Sequence, residues 1–107
     1  MVVSCIVKCS NKVIKTYALI DSGASGYAFI DRYFTLTTGI STFPLPQPRE
    51  IRLADGAVSD IITQFAVIPI SMSGHKENCL FFVTNLAQNT PAILGLPWLQ
   101  LHNPSVN

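Results

Sequence analysis

Apolar and polar residues alternate along most of the chain with a period of two, and almost nowhere with the 3.6-residue repeat of a helix buried on one side. Val2 to Lys8 and Val13 to Ile20 read as strands around Cys9-Ser10-Asn11-Lys12, a polar stretch suited to a tight turn, so the chain opens with a hairpin. Asp21-Ser22-Gly23-Ala24-Ser25-Gly26 follows the apolar Ala18-Leu19-Ile20 and predicts a loop at a strand end. Ala28-Phe29-Ile30 resumes a strand, after which Asp31 is placed to cap a short helix running to about Thr38 and Gly39 to close it.

The segment Phe43-Pro44-Leu45-Pro46-Gln47-Pro48 holds three of the seven prolines, which remove ladder donors, and it reads as an extended spacer rather than an element. Ile51 to Leu53 and Val58 to Phe65 flank Ala54-Asp55-Gly56-Ala57, and Asp-Gly is among the strongest short-range hairpin signals. The second of these strands continues through Val67-Ile68-Pro69-Ile70, with Pro69 marking a bend or an edge. Ser73 to Asn78 predicts a turn, from which Cys79 to Val83 pairs back. Ala92-Ile93-Leu94 is a short buried strand ended by Gly95, and Pro97 opens a short helix from Trp98 to about His102. With no repeats and no internal boundary, residues 1–107 read as one all-β, mostly antiparallel domain with one or two short helices.

Composition adds one anomaly. Charged residues make up only 12% of the chain, about half the ordinary fraction, while the apolar share of 49% is at or slightly above the usual level. Charge is the normal occupant of exposed surface, so its shortage hints that a partner covers part of this one. A net charge of +1, with Lys and Arg scattered singly, offers no footprint for nucleic acid. The apolar runs are too short to span a membrane, and the N-terminus lacks the order of a secretion signal, which makes a cytoplasmic location the expectation. Three cysteines, an odd number without framework spacing, suit a reducing compartment. Cys5-x-x-x-Cys9 and His75-x-x-x-Cys79 imitate a zinc set, but residues four apart on a strand lie about 13 Å from one another and cannot share an ion. No metal is expected. Trp98 reads as a core or interface anchor, and His75 and His102 as surface turn and helix-end residues.

Asp21-Ser22-Gly23 is the segment with chemical potential. One carboxylate is a poor tool for amide hydrolysis, but two held roughly 3 Å apart cannot both ionise, so one stays protonated while the other acts as base on a water. The chain carries a single copy of this tripeptide after an apolar strand. The second carboxylate would therefore come from a second chain, with the site on a two-fold axis.

These blocks, in their order and spacing, resemble the retropepsins, in particular the aspartic proteases of Ty3/gypsy-type retroelements and their domesticated relatives. Ala18 to Gly26, continued by Phe29-Ile30-Asp31, looks like the active-site strand and loop; Leu53-Ala54-Asp55-Gly56 looks like the flap hairpin; and Ala92-Ile93-Leu94-Gly95-Leu96-Pro97-Trp98-Leu99, followed by His102-Asn103-Pro104, is similar to the second signature and terminal helix. The resemblance implies a closed barrel-like fold with a flap and one lobe per chain. It implies that Asp21 is the catalytic carboxylate, that Ser22 braces the two loops across the dimer axis, and that Gly23 lets substrate backbone approach. Ala24 and Ser25 would line the floor, Ala54, Asp55, Gly56 and Ala57 would form the flap tip, and Ile93, Leu94 and Gly95 would pack beneath the loop. The expected protein is a homodimeric aspartic endopeptidase that takes an extended peptide, uses no cofactor, and processes a retroelement Gag-Pol polyprotein. The alternatives are a catalytically silent domesticated module for dimerisation or peptide binding, and a cellular protease of the same fold from a ubiquitin adaptor. The proline-rich spacer and Leu96-Pro97-Trp98-Leu99 favour the retroelement branch.

Overall fold

The computed structural model describes residues 2–9, 11–21, 28–52, 58–72, 74–86 and 89–95, with the backbone alone at Asp21, Arg52, Val58 and Ser59. Its elements are β1 (Val2–Cys9), β2 (Lys12–Asp21), β3 (Ala28–Asp31), α1 (Arg32–Thr38), β4 (Phe43–Arg52), β5 (Val58–Met72), β6 (His75–Thr84) and β7 (Ala92–Gly95).

The opening hairpin forms as expected, with β1 longer by Cys9 and β2 by Lys12 and Asp21: the two strands pair antiparallel from Val2↔Leu19 to Cys9↔Lys12. Alternation then decides which face each strand buries. On β1 the inward residues are Cys5, Val7 and Cys9, and on β5 they are Ala66, Ile68, Ile70 and Met72. β1 also pairs with β5 through Ile6↔Ser71 and Val7↔Ile70. With the order β1-β2-β7-β3-β6-β5-β4, that extra pairing closes a ring of six strands and leaves β4 outside it. Closure removes sheet edges from the ring and encloses one main core, in which Ile30, Ile68, Val83 and Leu94 are almost completely buried. Each such side chain contributes about 1.5–3 kcal/mol relative to exposure.

Two pairings in the ring are parallel, β2 with β7 and β3 with β6, so the sheet is mixed rather than uniformly antiparallel. β7 lies between β2 and β3. Short α1 is set by its ends. Asp31 at the N-cap has extended backbone and accepts the Phe34 N–H at 3.2 Å, and Gly39 sits at φ +78°, where its N–H donates to the Thr35 carbonyl.

Two expectations need correction. The proline-rich segment is not a spacer but the first half of β4, which pairs with β5 at Phe43↔Phe65 and Pro44↔Gln64 before the register breaks and resumes at Arg49↔Ile62. Four residues of β4 thus oppose only Thr63 of β5, and an edge strand tolerates the missing donors of Pro46 and Pro48 at this interruption. The second correction concerns the turn at residues 73–78. β6 begins already at His75, opposite Met72, and Gly74 takes the positive φ of +79° that a two-residue hairpin connection favours. Lys76 and Asn78 are exposed while His75 and Glu77 face each other at 3.6 Å, so these polar residues alternate on a projecting strand instead of forming a loop. The continuation of β5 through Val67-Ile68-Pro69-Ile70 is as expected: β5 pairs with β6 through Pro69↔Asn78, and its β1 pairing starts one residue later.

The shortage of charge has a counterpart on the surface, where Tyr33, Leu36, Val67 and Leu80 are exposed. Val67 and Leu80 are register partners and share one outer face. No helix among the described residues is long and apolar enough to cross a membrane.

Candidate active site

Asp21 is the last residue of β2, and its backbone pairs in parallel with Gly95; the preceding pairs are Leu19↔Ile93 and Ile20↔Leu94. On the other side of β7, β3 runs antiparallel with Ala28↔Leu94 and Phe29↔Ile93. Residues 22–27 therefore leave β2 on one flank of β7 and rejoin β3 on the other, two strand spacings or roughly 10 Å away.

Of the residues expected to act, Ser22, Gly23, Ala24 and Ser25 lie outside the described residues, as do Ala54, Asp55, Gly56 and Ala57, and Pro97, Trp98 and His102. Ile93, Leu94 and Gly95 are brought directly beside the end of β2. Leu94 is 1% exposed in the main core, Gly95 is buried, and Ile93 is half-buried. Ile93 packs on a second apolar cluster built from Phe29, Ile62 and Phe82, joined by Leu45, Ile51 and Leu86. The Phe29 and Phe82 rings tilt at 44° with centroids 6.2 Å apart, and the Arg49 guanidinium lies 5.3 Å over Phe82. This cluster ties β7 to both arms of the β4–β5 hairpin.

Polar contacts fix the same region. Asp31 accepts the Leu86 N–H on Oδ1 at 2.9 Å while Oδ2 takes the Phe34 N–H, and the Asp31 N–H donates to the Pro91 carbonyl at 2.8 Å. The Tyr17 hydroxyl donates to the carbonyl of Asn89, which is held at φ +64°. Arg32 Nη1 donates to Asn85 Oδ1 at 3.3 Å. The segment leading into β7 is thereby anchored to β2, β3 and α1. The cap at Asp31 was legible in the sequence, but its second acceptor role was not, because nothing local marks a contact 55 residues away.

The cysteines are core residues. Cys5 and Cys79 sit in the main cluster, Cys9 Sγ donates to the Thr38 carbonyl at 3.2 Å, and burial pushes the Cys5 thiol up from its ordinary value. Among the described residues no group of three or more His, Cys, Asp or Glu stands close enough to hold a metal ion.

A closed six-stranded mixed barrel, an outlying hairpin, and a β2 strand ending in Asp21 beside β7 together define a retropepsin-like domain. Residues 17–107 match the PEG10/RTL1 protease domain, and the chain belongs to that family. Among solved structures, the retroviral protease-like domain of Ddi1 from Leishmania major superposes with a TM-score of 0.56 at 18% identity, over 95% of this chain and 78% of that one. That likeness concerns the fold.

Proposed function

We propose that the chain supplies one half of a homodimeric aspartic endopeptidase, with Asp21 from each copy forming the catalytic pair. The observation that carries this reading is the single Asp-Ser-Gly that begins at the end of β2, opposite Gly95, in a chain of a protease-domain family. One carboxylate per chain requires two chains for a pair. In the reaction, the ionised Asp21 takes a proton from water as the water oxygen attacks the scissile carbonyl carbon, and the protonated Asp21 donates to the carbonyl oxygen. The tetrahedral intermediate then collapses with cleavage of the C–N bond, and the proton passes to the leaving amine. Ser22 braces the paired loops, Gly23 admits substrate backbone, Ala24 and Ser25 form the floor, and residues 54–57 close over an extended peptide held largely by main-chain hydrogen bonds. The substrate we assign is the polyprotein in which such a domain is embedded.

Incubation with a peptide library at mildly acidic pH tests the reading. The wild-type chain cleaves, and Asp21→Asn loses cleavage while its sedimentation and circular dichroism stay unchanged. Undiminished cleavage by Asp21→Asn would overturn the mechanism.

A further inference from the structure

The β4–β5 hairpin runs on beyond the point where β5 stops pairing with β6. The last β5–β6 pair is Phe65↔Phe82, whereas β4 and β5 continue through Arg49↔Ile62, Glu50↔Ile61, Ile51↔Asp60 and Arg52↔Val58. Past Phe65, β5 has, among the described residues, only the edge strand β4 as its ladder neighbour, and a two-stranded ribbon by itself is marginal in water. Apolar packing anchors the base of the ribbon at Ile62, which is 1% exposed against Phe29 and Phe82.

Two residues further out, a polar contact takes over. The hydroxyl of Thr84, the last residue of β6, donates to Oδ2 of Asp60, while Oδ1 of the same carboxylate accepts the Ile61 N–H at 2.8 Å. Thr84 is only 5% exposed, so its hydroxyl depends on this partner in place of water. It is also held from behind: Thr84 pairs with Asp31 in the parallel β3–β6 register, and Asp31 in turn holds Leu86 and Pro91. A carboxylate acceptor makes the contact stronger than a neutral pair would be.

We infer that Asp60 and Thr84 form a clasp that sets where the outer end of the β4–β5 hairpin stands relative to the end of β2. Both are then positioning residues for peptide binding. That consequence rests on the endopeptidase reading, whereas the clasp itself does not.

Thr84→Val keeps the side-chain shape and removes the donor, and Thr84→Ser keeps the donor. In the whole chain, Thr84→Val is expected to speed amide hydrogen exchange at Ile61 and Ile62 by about tenfold, since the outer ribbon opens locally once the contact is lost. On a peptide that the wild type cleaves, KM rises about fivefold with kcat within about twofold, the pattern of lost binding without lost chemistry. Thr84→Ser restores both readouts. Unchanged exchange in Thr84→Val, or Thr84→Ser as impaired as Thr84→Val, overturns the clasp. Faster exchange with unchanged KM overturns the positioning role. A wild-type chain that cleaves nothing, with the exchange result intact, removes the endopeptidase reading and leaves the clasp standing.

Discussion

Asp31 and Leu86 are joined by a 2.9 Å hydrogen bond in which the Leu86 amide donates to one carboxylate oxygen, while the other oxygen caps α1 at the Phe34 amide. One side chain thus satisfies two backbone donors, one three residues on and the other 55 residues away, at the point where β3 passes into α1.

Asp31→Ala removes both acceptors at once. Loss of an N-cap costs about 1 kcal/mol, and a part-buried amide left without its partner adds about 1–3 kcal/mol. A total loss of about 2–4 kcal/mol is expected in urea unfolding, with Asp31→Asn intermediate because its amide oxygen keeps one acceptor. A loss below about 1 kcal/mol in Asp31→Ala would show that water replaces both contacts.

Leu94 lies between Ile20 on β2 and Ala28 on β3, and so between the two ends of residues 22–27. It is 1% exposed, and Leu94→Ala should destabilise the fold by about 2–5 kcal/mol through lost burial and the cavity left behind. Cleavage should fall more than the folded fraction does, because both anchors of the loop loosen. Activity that tracks the folded fraction alone would separate the packing role from the site.

How far the sequence carries depends on whether a feature is local. The hairpin of β1 and β2, the cap at Asp31, the close at Gly39 and the short strand Ala92–Gly95 all follow from spacing and residue type within a few positions. The parallel pairings of β2 with β7 and β3 with β6 do not, because register between strands distant in sequence leaves no local period. The first half of β4 was hidden by its prolines, whose missing donors matter only in a central strand, and the start of β6 was hidden by polar residues that sit on a projecting hairpin end. At the candidate site, the family resemblance singles out Asp21 and Ile93-Leu94-Gly95, and the parallel register of β2 and β7 sets Asp21 opposite Gly95. Asp60 and Thr84 were not, since an Asp and a Thr 24 residues apart form no motif.

The Cys5 thiol gives the fold a pH dependence on the alkaline side. Burial pushes its ionisation up, so as pH rises the unfolded chain gives up this proton first and the folded chain retains it. The folded state then binds more protons than the unfolded one, and its stability falls with pH. The contribution is fully present below about pH 8.5, the ordinary thiol range, and is lost above it. Cys5→Ala should flatten this part of the profile in thermal melts between about pH 7.5 and 10, measured against wild type. Identical slopes in the two proteins would assign the alkaline loss to other groups.

The endopeptidase reading makes a quantitative demand on concentration. Each chain holds one Asp-Ser-Gly, so a monomer has half a catalytic pair and no weaker version of the whole site. Specific activity should therefore fall on dilution, and well below the dimer dissociation constant the rate should scale with the square of total chain concentration. Sedimentation over the same range should show the midpoint of the monomer–dimer transition where specific activity halves. Mixing wild type with excess Asp21→Asn separates this from simple loss on dilution: heterodimers carry one carboxylate, so activity should drop as the variant captures wild-type chains. Activity that stays proportional to wild-type concentration, regardless of dilution or added variant, would place the complete site within one chain and exclude the shared pair.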